Sequence, residues 1–272
     1  MPAYNTERFI GKAMESVLRQ TGIDFELIVV DDASRDNTAE VALSFNDPRV
    51  KVLRNSVNRG PAFCHNLVIA RSISPFITHV DSDDLVLPSA FRKMIEALRT
   101  NPDAGQAHCY FFDIDEAGKT TAAAFRARKE QFLKDRPPDM DYKRELLVRG
   151  TVINHLRTYR REIFDRVGQF NERLRYAEDF EMALRILDKS SIRLVPEFLY
   201  CLRLHPGSTT RRMASTSLGF FLYRVWICWQ LSKTGQVRFL KNGEYNLNLL
   251  VFRGFQKLLQ DLLYSPPLPG QR

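Results

Sequence analysis

Phe76-Ile77-Thr78-His79-Val80-Asp81-Ser82-Asp83-Asp84 decides the reading of this chain. An apolar, β-rich run ends directly in clustered carboxylates. Such a run predicts a buried strand that delivers acids to a sheet edge. Carboxylates at this spacing suit a hard divalent cation, Mn²⁺ or Mg²⁺, and such a cation holds a diphosphate. A solvated acidic turn would give the same letters, so the neighbouring segments decide.

Outward from this stretch, residues 1–112 alternate helix and strand signals. Phe9, Ile10, Ala13, Met14, Val17 and Leu18 recur at helical spacing. Phe25 to Val30 predicts a strand closed by Asp31-Asp32, and Asp36 to Phe45 a helix with Ser34 as its N-cap. Val50 to Leu53 predicts a short strand and Gly60 to Ser72 a helix. Beyond the acidic cluster, Pro88 to Thr100 predicts a helix with proline in its first turn, and Gln106 to Phe112 a strand. This order implies an α/β fold with a mainly parallel sheet and helices on both faces. Ligands in such sheets sit beyond the carboxyl ends of the strands. Asp32 and Asp83 both fall at such ends, 51 positions apart.

Residues 113–150 are less regular. Asp115-Glu116-Ala117-Gly118 predicts a hairpin turn, and the charged stretch Arg126 to Tyr142, with Pro137-Pro138, predicts a mobile loop with helical pieces. Glu178 to Leu187 predicts a helix, and residues 192–204 two short strands around Pro196. Helical patterns dominate from Leu218 onward.

The 272 residues suffice for one large α/β domain or a domain with an appendage. Hydrophobic content of 44% and charged content of 26% are those of an ordinary soluble protein. Cys64, Cys109, Cys201 and Cys228 are scattered without a CxxC pair. That argues against a zinc site or disulfide framework and suits a reducing cytoplasm. The start does not read as a signal peptide, and no run reaches the roughly 18 apolar residues of a spanning helix. Residues 211–272 hold nine Lys/Arg against two Asp/Glu, so they carry +7 of the net +8. They also hold both tryptophans, Trp226 and Trp229. A basic, aromatic tail predicts contact with something anionic, such as the inner face of a membrane. No nucleic-acid motif accompanies it.

Further motifs stand in order along the chain. Pro2-Ala3-Tyr4-Asn5 opens it and Val29-Val30-Asp31-Asp32-Ala33-Ser34 closes a strand. Asn58-Arg59-Gly60-Pro61-Ala62 and Asn66 precede the acidic cluster. Val167-Gly168-Gln169-Phe170, Glu178-Asp179-Phe180 and Arg203-Leu204-His205-Pro206-Gly207-Ser208 follow it. Singly each is weak. Together, over about residues 1–210, they closely resemble family 2 glycosyltransferases, inverting enzymes of the GT-A fold.

The resemblance implies roles residue by residue. Ala3, Tyr4, Asn5, Asp32, Asn58, Gly60, His65, Asp81 and Arg203 would contact the nucleotide-sugar donor, with Asp32 on the base and Asp81 toward the ribose or sugar. Asp83 would bind the divalent metal, His205 would add a second metal or diphosphate contact, and Asp179 would be the catalytic base. Residues 1–112 would form the nucleotide-binding half, 113–210 the acceptor half and 211–272 a helical appendage. The acceptor would be a glycan or lipid-linked glycan in cell-surface polysaccharide synthesis. The chain departs from the pattern in two places. The family's first strand precedes the Pro-x-Tyr-Asn segment and is absent here, which suggests a start upstream of Met1. The family often places Arg where this chain has His65, a weaker, pH-dependent partner for a diphosphate. The Gln-x-x-Arg-Trp motif of processive members is missing, so transfer of a single sugar is expected.

Two other functions fit parts of the pattern. A sugar nucleotidyltransferase needs a Gly-rich basic loop after the first strand, and Tyr4-Asn5-Thr6-Glu7 is not one. An inactive member that binds nucleotide sugars or a partner is separated from an enzyme by turnover alone.

Overall fold

The computed structural model describes residues 1–135, 140–149, 153, 155–174, 176–208 and 217–238. The chain divides into two compact units, Met1–Pro138 with Ile153–His205, and Asp139–Val152 with Pro206–Arg272.

The first unit contains every described strand. Strand β1 (Pro2–Ala3) pairs in parallel with β2 (Leu27–Asp31), which pairs in parallel with β3 (Val50–Arg54). All five β2 residues are buried, as a central parallel strand covered on both faces requires. Strand β1 consists of two residues of the Pro-x-Tyr-Asn segment itself, Pro2 in register with Val30 and Ala3 with Asp31. The α-amine of Met1 continues the contact by donating to the carbonyl of Ile28 at 2.9 Å.

A second sheet has the order β4–β7–β6–β8–β5. Its strands are β4 (Phe76–His79), β5 (Leu85–Val86), β6 (Ala104–Ile114), β7 (Arg157–Arg160) and β8 (Ser191–Arg203). Only β6 and β8 run parallel; β4/β7, β6/β7 and β5/β8 are antiparallel. The two strands expected around Pro196 are one. Val195 pairs with Cys109 and Phe198 with Tyr110, so Pro196 and Glu197 stand off the ladder in a bulge.

Helices flank the strands: α1 (Ile10–Leu18), α2 (Thr38–Leu43), α3 (Pro61–Arg71), α4 (Ala90–Arg99), α5 (Ala122–Asp135), α7 (Ile163–Val167) and α8 (Glu178–Lys189). Ile10, Ala13, Met14 and Val17 of α1 and Phe91, Met94 and Leu98 of α4 share one core with Leu27, Val29, Ala107 and Tyr200. Each such large side chain contributes about 1.5–3 kcal/mol when fully buried. Helix α5 replaces the mobile loop expected from Arg126, as far as Asp135. Its residues are good helix formers without internal Gly or Pro. Phe125 and Phe132, two turns apart, both pack on Phe198. The Pro137-Pro138 part of that expectation lies outside the described residues. In the second unit lie α6 (Tyr142–Arg149) and α9 (Ser217–Thr234). Leu146 and Leu147 of α6 and Ile227, Cys228 and Leu231 of α9 are buried. No helix among the described residues is long and apolar enough to cross a membrane.

Candidate active site

Strand β4 ends at His79, and the acidic cluster turns directly into β5. The amide of Asp84 closes this turn on the carbonyl of Asp81 at 3.4 Å. Strand β8 then grips it. The amide of Arg203 donates to Oδ1 of Asp84 at 2.7 Å, and the Tyr200 hydroxyl donates to Oδ2 at 2.8 Å. The same hydroxyl accepts the amide of Asp81 at 3.2 Å. Asp84 is 1% exposed. Burial, with Asp83 and Asp81 alongside, pushes its carboxyl well above the usual carboxylate range.

Arg203 lies beneath this turn. Its Nε donates to the carbonyl of Asp83 at 2.6 Å, and Nη1 to the carbonyls of Asp115 and Glu116 at 3.1 and 2.9 Å. The sequence placed Arg203 at the donor. Here it is buried, and these bonds tie the Asp115–Gly118 turn to the acidic cluster. Nε2 of His205, two residues on, lies 2.8 Å from Oδ2 of Asp83.

His155 gathers the remaining acids. Its Nδ1 lies 3.5 Å from Oδ2 of Asp81, and its ring stacks on Tyr200 at 4.8 Å and 8°. Burial and then Arg157 lower its pKa, against the opposing charges of Asp81, Asp179 and Asp83.

The cluster suits a divalent cation. Asp81, Asp84 and His155 each offer a ligand atom, all within 4.8 Å of one another. The sequence named a different set, Asp83 and His205. Both Asp84 oxygens already accept hydrogen bonds, which leaves Asp81, Asp83 and the two imidazoles the freer donors. Oxygen and imidazole donors fit Mn²⁺ or Mg²⁺. Burial first, and the charges of Asp83 and Asp81 second, raise the Asp84 carboxyl, and a cation here would relieve that repulsion.

Opposite the cluster stands the N-terminus of α8. Arg157 of β7 sits across from His79 of β4 in the sheet, and its Nη1 donates to Oδ2 of Asp179. Oδ1 of Asp179 accepts the amide of Phe180 at 2.8 Å. Glu178 beside it is pushed up to about 7 by burial and by the charge of Asp179. The helix is held in place by a buried pair one turn on. Nη2 of Arg185 reaches Oε2 of Glu181 at 2.6 Å, and the guanidinium also donates to the carbonyls of Val167, Gly168 and Gln169. Asn66 of α3 holds the same turn from the far side, bonding both the amide and the carbonyl of Phe170.

The expected nucleoside residues form a second group. Asp32 is 3% exposed and accepts the amide of Gly60 at 2.7 Å, the amide of Arg59 at 3.0 Å and the side chain of Asn55 at 2.7 Å. Asn58 donates to the Asp32 carbonyl at 3.2 Å, and the Asp32 amide donates to the carbonyl of Ala3 at 2.8 Å. Gly60 has φ +86°, with nothing within 4 Å of where a Cβ would stand. Backbone conformation, not space, selects glycine there. Asn5 accepts the amide of Arg35 at 2.8 Å, and Tyr4 beside it is 43% exposed. Thr6 joins this group to the acidic cluster. Its amide donates to Thr38 at 2.8 Å and its hydroxyl to Ser82 at 3.0 Å.

His65, expected at the donor, packs among rings. It lies buried, stacked on His79 at 3.7 Å and 6°, with Phe170 at 5.1 Å. Burial above all lowers its pKa well below the usual value. The residues the sequence missed are His155, Arg157, Tyr200 and Thr6. None carries a local motif; contacts with distant parts of the chain bring them to the site.

The sequence profile described as glycosyl transferase family 2 matches residues 1–168. EpsJ of Bacillus subtilis, described as an uncharacterized glycosyltransferase, is 29% identical over 215 residues, covering 77% of this chain and 61% of its own length. WfgD of Escherichia coli is named a UDP-Glc:alpha-D-GlcNAc-diphosphoundecaprenol beta-1,3-glucosyltransferase. It is 38% identical over 101 residues, 37% of this chain and 40% of its own. The chain thus spans under two thirds of these relatives. Among solved structures, residues 1–349 of Staphylococcus aureus TarS in complex with UDP superpose with a TM-score of 0.64 at 18% identity, covering 97% of this chain and 71% of that one. That likeness establishes a shared α/β fold.

Proposed function

The chain belongs to glycosyl transferase family 2, and from that premise we propose that it moves one sugar from a nucleotide-sugar donor to a hydroxyl acceptor, with inversion and with a divalent metal. One observation carries this reading: His155 lies 3.5 Å from Asp81 in the acidic cluster, and Arg157, two residues on, holds Asp179. Acids fit to hold a metal diphosphate thus share a site with an acid fit to take a proton.

Asp179 accepts the proton of the acceptor hydroxyl, typically worth 10²–10⁴-fold in rate. The hydroxyl oxygen bonds to the anomeric carbon while the bond from that carbon to the diphosphate breaks. The bonding pair leaves with the nucleoside diphosphate. Attack opposite the leaving group inverts the centre in one displacement. Asp83, His205, Asp81 and His155 would hold the metal, with Asp84 fixing the turn that presents them. A divalent ion bound there supplies Lewis-acid stabilisation of the charge on the departing diphosphate. Asp32, Asn58, Gly60 and the Ala3-Tyr4-Asn5 segment would hold the nucleoside.

The acceptor we infer is a glycan or lipid-linked glycan met at an anionic membrane surface. Leu222, Trp226 and Trp229 of α9 are exposed while Ile227, Cys228 and Leu231 are buried. Nζ of Lys233 lies 5.0 Å from the Trp229 ring. An aromatic stripe with cations beside it suits an interface between headgroups and acyl chains. The WfgD name, with its diphosphoundecaprenol acceptor, supports the same class.

The test is a screen of nucleotide sugars with purified protein, Mn²⁺ or Mg²⁺ and glycan acceptors, reading nucleoside diphosphate release and the anomeric configuration of the product. Donor binding without release under every metal and acceptor would reduce the chain to a binding protein. A retained configuration would remove the single displacement.

A further inference from the structure

We propose that Arg157 is a positioning residue for this transfer: its guanidinium fixes the Asp179 carboxylate in orientation and charge, so that one lobe stays aimed at the incoming hydroxyl. The proposal rests on the reading of Asp179 as base.

The two oxygens of Asp179 are held from different elements. Oδ1 accepts the amide of Phe180 in its own helix, and Oδ2 accepts Nη1 of Arg157 from β7. A carboxylate pinned by helix and strand together has little freedom to turn.

The burial of this pair is lopsided. The Arg157 side chain is 10% exposed and that of Asp179 is 39% exposed. A second pair in the same helix, Glu181 with Arg185, is 4% and 6% exposed. That pair is sealed at both ends and serves packing. The Arg157 pair is sealed at the cation and open at the acid, the form expected where the acid must meet a substrate. Nε of Arg157 is buried with no hydrogen-bond partner among the described residues, while Nη1 donates to Asp179.

Asp179 has Glu178 beside it on α8, and its charge also acts on Arg157 and Tyr159 of β7 and on His155 just before that strand. Arg157 is its cationic neighbour in this group. Burial alone would make Arg157 easier to deprotonate, but Asp179, Tyr159, Asp81 and Glu178 outweigh that and raise its pKa. The guanidinium therefore stays charged throughout turnover. A fixed cation beside a carboxylate favours the ionised form.

The experiment compares wild type with Arg157→Lys, Arg157→Gln and Asp179→Asn, in full-length protein with Mn²⁺. Thermal melting checks folding, donor KM is separated from kcat, and kcat is followed across pH. Arg157→Gln should lower kcat by roughly 10- to 100-fold with donor KM nearly unchanged. Its acidic limb should move up by about one pH unit or more. Arg157→Lys keeps the charge without the fork, so its limb should stay near wild type while kcat falls. A folded Arg157→Gln protein with the wild-type limb overturns the proposal, as does a loss confined to donor KM. If the Gln variant does not fold, the Lys variant decides: full kcat in it sinks the orienting role, and a limb moved up sinks the charge role. An active Asp179→Asn protein removes the base reading itself. An inactive one beside an unmoved limb in the Arg157 variants removes only the role of Arg157.

Discussion

Nε2 of His205 lies 2.8 Å from Oδ2 of Asp83, joining residues 122 positions apart at the mouth of the acidic turn. An imidazole that close to a carboxylate is either its hydrogen-bond donor or its fellow ligand on a cation, depending on the tautomer. Asp83→Asn and His205→Ala should both weaken Mn²⁺-supported release of nucleoside diphosphate, with Asp83→Asn the more severe. The loss should shrink as Mn²⁺ is raised, because affinity for the ion is what falls. Titrating Mn²⁺ in each variant checks this, and a loss that no Mn²⁺ concentration lessens would assign the pair to another task.

Glu181 and Arg185 predict an effect on stability. Both are almost fully buried, and Arg185 also holds three carbonyls of the 167–169 turn. Removing one partner leaves an uncompensated buried charge. Glu181→Ala should destabilise the fold by about 3–5 kcal/mol, and a paired apolar replacement of both residues by far less. Urea unfolding of the single and double variants measures this. Equal destabilisation in both would put the loss on packing rather than charge.

Legibility from sequence followed how local each signal was. Phe76 to Asp84 was readable because apolar run, turn and acids are contiguous. The Asp32 turn was readable for the same reason. Strand β7, Arg157-Thr158-Tyr159-Arg160, was not, because two arginines in four residues suggest a surface. Their partners come from elsewhere: Asp179 for Arg157, and the carbonyls of Leu98 and Ala104 for Arg160. Arg203 was placed at the donor because its motif is genuine. Its actual acceptors, the carbonyls of Asp83, Asp115 and Glu116, are visible only once β8 lies beside the acidic turn. The stack of His65 on His79 is not legible in the sequence, because a helical period does not reveal which face meets a buried ring. Pro196 seemed to end a strand, yet a bulge moves it off the ladder and the strand continues.

The exposed face of α9 predicts binding to anionic vesicles. Trp226→Ala with Trp229→Ala should reduce co-sedimentation with phosphatidylglycerol vesicles, and wild-type binding should fall with salt as charges are screened. Phosphatidylcholine vesicles should capture little of either protein. Wild-type binding that neither the tryptophan changes nor salt reduces would remove this face from the membrane reading.

Glu178 predicts a pH dependence of stability with a definite sign. Its carboxyl titrates near 4.5 when free and is pushed up to about 7 in the fold, by burial first and by Asp179 second. Between these values the folded state holds a proton that the unfolded state has released. Stability therefore falls as pH rises from about 4.5 to about 7, and is flat above. The full loss is at most about 3 kcal/mol, and less where solvent screens the half-buried side chain. Glu178→Gln cannot ionise, so it should be more stable than wild type at pH 8 and match it near pH 4.5. Urea unfolding of both proteins with EDTA present, at the two pH values, reads the difference. An equal gap at both would mean that Glu178 does not hold its proton in the fold.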